Sequence, residues 1–214
     1  LQSMRIQQAA GLNGNRYATF HQLGKEQAQK LHEDDRLYDV GDTIFIGSTP
    51  LGNSSLSLYL REYHDNALSM YPAIGNVKEG RLPEEAIEIA LSEDALQYLG
   101  LDAVIGDTVS LDLSVSVMDG SLSELEYSAD FVLTGILESS YIGYASGTVE
   151  GIVGEGTAEE LLPEEYLLYS TDFKTYDKQN FQSIIYALAE DLNVDERYIQ
   201  YNWILLDAVG ISYD

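Results

Sequence analysis

The chain has 214 residues, room for one large domain or two small ones, and 36 acidic against 11 basic side chains give it a formal charge of −25. That charge excludes nucleic acid as a partner, because phosphate binding draws on Lys and Arg, and it repels anionic membrane surfaces. The absence of cysteine excludes disulfides, thiolate zinc sites and cysteine nucleophiles.

A hydrophobic content of 45% is ample for a core, yet no stretch approaches the roughly 20 apolar residues of a membrane span. The charge speaks first to solubility, and beyond that to steering of cationic ligands such as basic peptides.

In chain order, residues 1–8 predict a helix, and Gly11 and Gly14 with Asn13 and Asn15 mark a loop. Residues 16–22 read as a strand with Tyr17 and Phe20 as its large side chains. Residues 25–34 are rich in helix formers, with Ala28 and Leu31 turned inward, and 40–47 read as a second strand. Together they predict a strand–helix–strand unit.

Residues 56–63 predict a strand. Gly80-Arg81-Leu82-Pro83 breaks the chain, since proline fixes φ and donates no ladder hydrogen bond. Residues 87–91 follow as a short strand. Ser92 caps a helix with Glu93 and Asp94 in its first turn, Leu96 and Leu99 on one face and Gly100 as its left-handed stop. After the Gly106-Asp107 turn, Val109, Leu111, Leu113, Val115 and Val117 alternate with polar residues, the period of a sheet with one buried face. Asp119-Gly120 turns this strand into 126–137, where Tyr127, Ala129, Phe131 and Leu133 share a face. Residues 143–156 are glycine-rich and read as a mobile or tightly turned loop.

Residues 166–170 predict a strand. Asp177 caps a helix whose Phe181, Ile184, Ile185, Leu188 and Leu192 lie on one face, with Asn193 as its stop. Residues 199–206 predict a last strand with Ile199, Tyr201, Trp203 and Leu205 on one side. The pattern is α+β: an α/β base of two strand–helix–strand halves built from both chain ends, residues 1–47 and 161–214, with an inserted β-rich subdomain over 48–160.

Candidate sites have plainer readings. His32-Glu33-Asp34-Asp35 has metal-binding residue types, but neighbours on a helix do not converge, and the run reads as a solvated helix end. Tyr63-His64-Asp65-Asn66 reads as a turn, and His21 as a strand surface residue. The segment from Gly147 to Gly156 lacks the lysine of a phosphate loop and carries Glu150 and Glu155 instead. Asp102, Asp107 and Asp112 do not form a calcium loop. There is no G-x-S-x-G, and the pairs Glu84-Glu85, Glu159-Glu160 and Glu164-Glu165 are expected by chance among 36 acids. No catalytic, cofactor-binding or metal residue is assigned, and no cofactor is expected.

The order Gly80–Pro83, Glu88–Ser92, Leu99-Gly100, Ile105-Gly106-Asp107, Val109–Leu113 and Val132-Leu133-Thr134-Gly135-Ile136 resembles the extracytoplasmic core domain of the MacB/FtsX-type ABC transporter permeases. The motif covers about a quarter of the chain. The resemblance implies a non-catalytic domain on the outer side of the cell membrane, an excised soluble piece with membrane helices of the same polypeptide before Leu1 and after Asp214. An expression scar is an alternative reading of the first few residues. It further implies a separate cytoplasmic ATP-binding subunit, a second permease copy, and a peptide or protein substrate or partner outside the cell. The alternatives are a secreted acidic binding or adhesion module and a hydrolase using a carboxylate pair.

Overall fold

The computed structural model describes residues 1–211. In chain order the elements are α1 Gln2–Asn13, β1 Ala18–Leu23, α2 Lys25–His32, β2 Leu37–Pro50, β3 Ser57–Tyr63, β4 Val77–Gly80, β5 Glu88–Ser92, α3 Glu93–Tyr98, β6 Thr108–Val115, β7 Leu125–Leu137, β8 Thr148–Val153, α4 Thr157–Leu161, β9 Tyr169–Thr175, α5 Phe181–Leu192, β10 Ile199–Tyr201 and α6 Trp203–Ala208. They form an α+β protein of two compact units. The first takes Leu1–Thr43, His64–Pro72 and the chain from Leu168 onward; the second takes Ile44–Tyr63 and Ala73–Leu167.

In the first unit the strand order is β10-β1-β9-β2. Both β9 and β10 run antiparallel to β1, on either side of it, so β9-α5-β10 is a split β–α–β unit. With β1-α2-β2 it makes the two strand–helix–strand halves expected from the sequence. The apolar face of α5 buries Phe181, Ile184, Ile185, Leu188 and Leu192, and Ala28 and Leu31 of α2 join the same core. Phe20 and Phe173 meet there edge to face, 5.3 Å between centroids. Asn193 ends α5 in the left-handed conformation, φ 55°.

Of the boundaries that differ from expectation, four have a local reason. Helix α1 runs through Gly11 to Asn13 and stops at Gly14, φ 88°, where a Cβ would lie 2.6 Å from the Tyr71 ring. Strand β9 starts at Tyr169, because Pro163 opens a single 3₁₀ turn over Glu164–Tyr166. Asp177 caps the turn before α5, accepting from the Asn180 N–H at 3.1 Å, and Asn180 takes the N-cap position. The predicted strand 199–206 ends at Tyr201. Asn202 is drawn inward to donate to the carbonyls of Gly14 and Arg16 at 2.8 and 2.9 Å, and its side chain caps α6 at Leu205. The alternation at Trp203 and Leu205 is therefore helical: Trp203 is exposed and Leu205 buried.

The second unit closes on itself. Its strands follow β2-β3-β8-β5-β7, and β6 pairs with both β7 and β2, completing a ring of six. The β6–β7 ladder is antiparallel over its whole length, Thr108↔Val132 to Val115↔Leu125. The strict alternation of β6 puts Val109, Leu111, Leu113 and Val115 inside, beside Phe131 and Leu133 of β7. A closed ring leaves few edges; β4 covers the far part of β7, Val77↔Leu137 to Gly80↔Gly135. Ser92 caps α3 through Ala95 N–H at 3.2 Å, and Gly100 follows with φ 71°.

The glycine-rich segment 143–156 is not a mobile loop. Its centre is β8, a buried strand that runs parallel to β3, Ser57↔Thr148 to Glu62↔Val153, and antiparallel to β5. The glycines serve close approach. A Cβ at Gly151 would lie 2.6 Å from Leu60, and one at Gly154 would lie 1.9 Å from the Glu85 carbonyl oxygen. Strand β5 begins at Glu88 rather than Ile87, whose φ of 70° turns its N–H to the Thr157 hydroxyl at 2.9 Å.

Candidate functional site

Functional chemistry needs polar groups held away from water, so the buried and half-buried polar clusters are the places to look. In the first unit one lies at the end of α2. His32 sits in its last turn, where the split of α2 into an inward face (Ala28, Leu31) and an outward one leaves it half-buried. The chain then turns into β2, whose Asp42 is buried. Asp65 follows the end of β3 in a left-handed turn, φ 55°.

The His32 Nε2 atom is 3.0 Å from Asp42 Oδ2 and 3.7 Å from Asp65 Oδ2. A donor atom from each of the three lies within 4.8 Å of the other two. Asp42 is fixed from behind: its Oδ1 accepts from the Thr171 hydroxyl of β9 at 2.7 Å. Its backbone carbonyl accepts the His64 N–H at 2.9 Å, which ties down the turn carrying Asp65. The rest of the acidic run stays apart. Glu33 accepts from Gln29, Asp34 pairs with Arg36 at 2.8 Å, and Asp35 is exposed.

A second cluster in this unit surrounds Asp172. It accepts hydrogen bonds from the Thr19 hydroxyl and from the Tyr71 hydroxyl, the latter at 2.6 Å, and Arg16 Nε lies 3.6 Å away. Burial pushes the Asp172 carboxyl above the usual carboxylate range, against the pull of Arg16 and its two hydroxyl donors. His21, expected on a strand surface, bridges across β9-β1-β10: one ring nitrogen is 2.8 Å from Ser170 Oγ and the other 2.9 Å from Gln200 Oε1. A serine beside a histidine is half of a nucleophile pair, and beside the other ring nitrogen stands the amide oxygen of Gln200.

In the second unit Glu62 is buried, and its carboxyl oxygens accept from the N–H groups of Gly156 and Ala158 at 3.2 and 2.8 Å. Arg61 pairs with Glu150, with its guanidinium 5.6 Å from the ring centres of Phe45 and Tyr59. Arg81 holds Glu88 with two hydrogen bonds at 2.9 and 2.6 Å, and the N–H groups of Glu84 and Glu85 each reach the same carboxylate at 2.9 Å. These contacts, the guanidinium first, hold the Glu88 carboxyl at about 2. All of these are joints between elements of the fold.

The other residues singled out from sequence do not gather. Glu84, Glu85, Glu159, Glu160, Glu164 and Glu165 are exposed, as are Asp102, Asp107 and Asp112. Asp107 accepts from the Val104 N–H at 3.0 Å, and Asp112 from the Ser128 hydroxyl at 2.5 Å, so both act within their own turn or ladder. Glu150 is taken by Arg61, and Glu155 is exposed. Asp42 drew no attention in the sequence, where it is one acid in a strand; only folding brings it to His32. Among the described residues no helix is long and apolar enough to cross a membrane.

No protein-family model matches the chain, and no curated protein sequence does. The fold, by contrast, has relatives of known structure. It is similar to the periplasmic region of MacB from Actinobacillus actinomycetemcomitans at a TM-score of 0.55, with 14% identity over 98% of this chain and 99% of that one. It is also similar to the extracellular domain of the noncanonic ABC-type transporter YknZ from Gram-positive bacteria, at a TM-score of 0.52, with 13% identity over 87% of this chain and 99% of that one. The chain thus has the fold of these two extracytoplasmic transporter domains, over nearly the full length of each.

Proposed function

We propose that the chain is the extracytoplasmic domain of an ABC transporter permease, which couples movement of membrane helices to a substrate or partner protein outside the cell. The observation that carries this reading is the end-to-end likeness to the MacB periplasmic region, with 98% of one chain laid on 99% of the other. At 14% identity that likeness is one of fold, and fold alone does not fix function, so a second line of support matters. It comes from the first unit, where α1 lies against α6 and Gln2 reaches the Ala208 carbonyl at 3.4 Å. Membrane helices of the same polypeptide, joined at α1 and α6, would enter and leave this unit side by side, so that their relative movement bears on one place.

On this reading the domain is non-catalytic and binds no nucleotide. ATP is hydrolysed by a separate cytoplasmic subunit, and a second permease copy completes the transporter. Several of the polar clusters suit that role, since they join β1 to β9, β3 to β8 and β5 to its preceding turn.

The test is the topology of the full-length gene product. Cells are fractionated, intact cells are shaved with protease, and this segment is followed with an antibody. The expected result is retention in the membrane through alkaline carbonate washing together with cleavage from outside. Recovery as a free protein in the medium or the cytosol would overturn the proposal.

A further inference from the structure

The cluster at the end of α2 brings three side chains of metal-ligating type together. His32 Nε2 is shielded from water and lies 3.0 Å from Asp42 Oδ2, yet its geometry makes no hydrogen bond with that carboxylate or with any other described group. A ring nitrogen and two carboxylate oxygens that converge without bonding one another converge on a point between them. The geometry points to a divalent transition-metal site formed by His32, Asp42 and Asp65, of the class that takes Zn²⁺, Co²⁺ or Mn²⁺.

The distances fit that class. An ion holding N and O donors at about 2.0–2.2 Å sets neighbouring donors roughly 3–3.6 Å apart. The separation from Nε2 to Asp42 is 3.0 Å, inside that range, and to Asp65 3.7 Å, just beyond it; all three donors lie within 4.8 Å, and a small turn of the exposed Asp65 side chain would close the set. An imidazole with two carboxylates favours borderline ions over the all-oxygen preference of Ca²⁺ and Mg²⁺.

The surroundings fit as well. Asp42 is oriented by the Thr171 hydroxyl, the kind of outer hydrogen bond that fixes a ligating carboxylate. Asp65 is exposed, leaving a route for the ion and room for water in the remaining positions. The three ligands come from α2, β2 and the turn after β3, all within the first unit, so a bound ion would tie together segments distant in sequence. The site stands independently of the transporter proposal.

The experiment is a titration of the 214-residue chain, stripped with chelator, with Co²⁺ in the presence of excess Ca²⁺ to occupy exposed carboxylates. Visible absorbance reads the imidazole-bound ion, and equilibrium dialysis reads the stoichiometry. The expected result is one tight equivalent, displaced by Zn²⁺, and weakened roughly 10–100-fold in both His32→Gln and Asp65→Asn. Asp35→Asn, which removes an exposed acid nearby, should bind as the parent does. Asp65 is exposed and outside helix and strand, so its variant folds, and far-UV circular dichroism checks both. Failure to bind one equivalent, or equal affinity in parent, His32→Gln and Asp65→Asn, overturns the site and leaves the three residues as a histidine–carboxylate ion pair.

Discussion

At the scale of single residues, the fold is pinned by carboxylates whose settings pull in opposite directions. Glu88 is exposed enough to stay charged, and the Arg81 guanidinium with two backbone N–H groups holds its pKa at about 2 against an ordinary 4.5. The charged form is favoured in the folded chain, so its contribution to stability is complete above pH 4.5 and is lost as the pH falls towards 2. Urea titrations across that window should show Glu88→Gln with a flatter acid limb than the parent. Asp172 is the opposite case, a buried carboxyl pushed upward and held by Arg16, Thr19 and Tyr71. Its replacement in Asp172→Ala strands the Arg16 guanidinium inside the fold, a defect that costs about 3–5 kcal/mol. The drop in urea midpoint measures it, and a change under 1 kcal/mol, the size expected of an exposed pair, would show that Arg16 has other means of satisfaction.

At the scale of elements, glycine in β8 marks contact. The Gly154 position, just past the end of β8, faces a backbone carbonyl 1.9 Å from where a Cβ would be, whereas Gly151 within it faces the ends of leucine side chains that can turn aside. Overpacking of a core costs about 1–3 kcal/mol, and Gly154→Ala should fall at or above the top of that range with Gly151→Ala below it. Thermal melts of the two variants would rank them, and equal melting temperatures would contradict the geometry. The same strand shows where sequence reading runs out. A periodicity of two is visible only where side chains alternate, as in β6, whose inward valines and leucines were legible residue by residue. In β8 the inward run Val149, Gly151 and Val153 is broken by a glycine because leucine side chains fill the space, and a glycine that yields to its neighbours looks the same in sequence as one that lets a loop turn. Helix α5 was legible because its buried face carries full-sized apolar residues, and α2 because it is rich in helix formers. The end of β10 was hidden because Asn202 acts through Gly14 and Arg16, nearly 190 positions away. The His32, Asp42 and Asp65 cluster was hidden likewise: the acids beside His32 in sequence point away, and its partners come from a strand and a distant turn.

At the scale of the whole molecule, a charge of −25 on 214 residues opposes compactness at every pH where the acids are ionised. Screening should relieve it. Raising NaCl from about 0.05 to 0.5 M shortens the Debye length several-fold, and each kcal/mol of repulsion removed lifts the melting temperature by about 2–4 °C in a chain of this size. Differential scanning fluorimetry across that range should show a rise, whereas a flat response would mean that ion pairs such as Arg61–Glu150 and Arg81–Glu88 lose as much as the net charge gains. The pairing of α1 with α6 carries a different consequence. Because the first and last helices are neighbours, the linear order of the chain is not what holds the fold together. A glycine–serine bridge from α6 to α1, with new ends opened at the exposed Asp119-Gly120 turn, would give a circular permutant with every ladder intact.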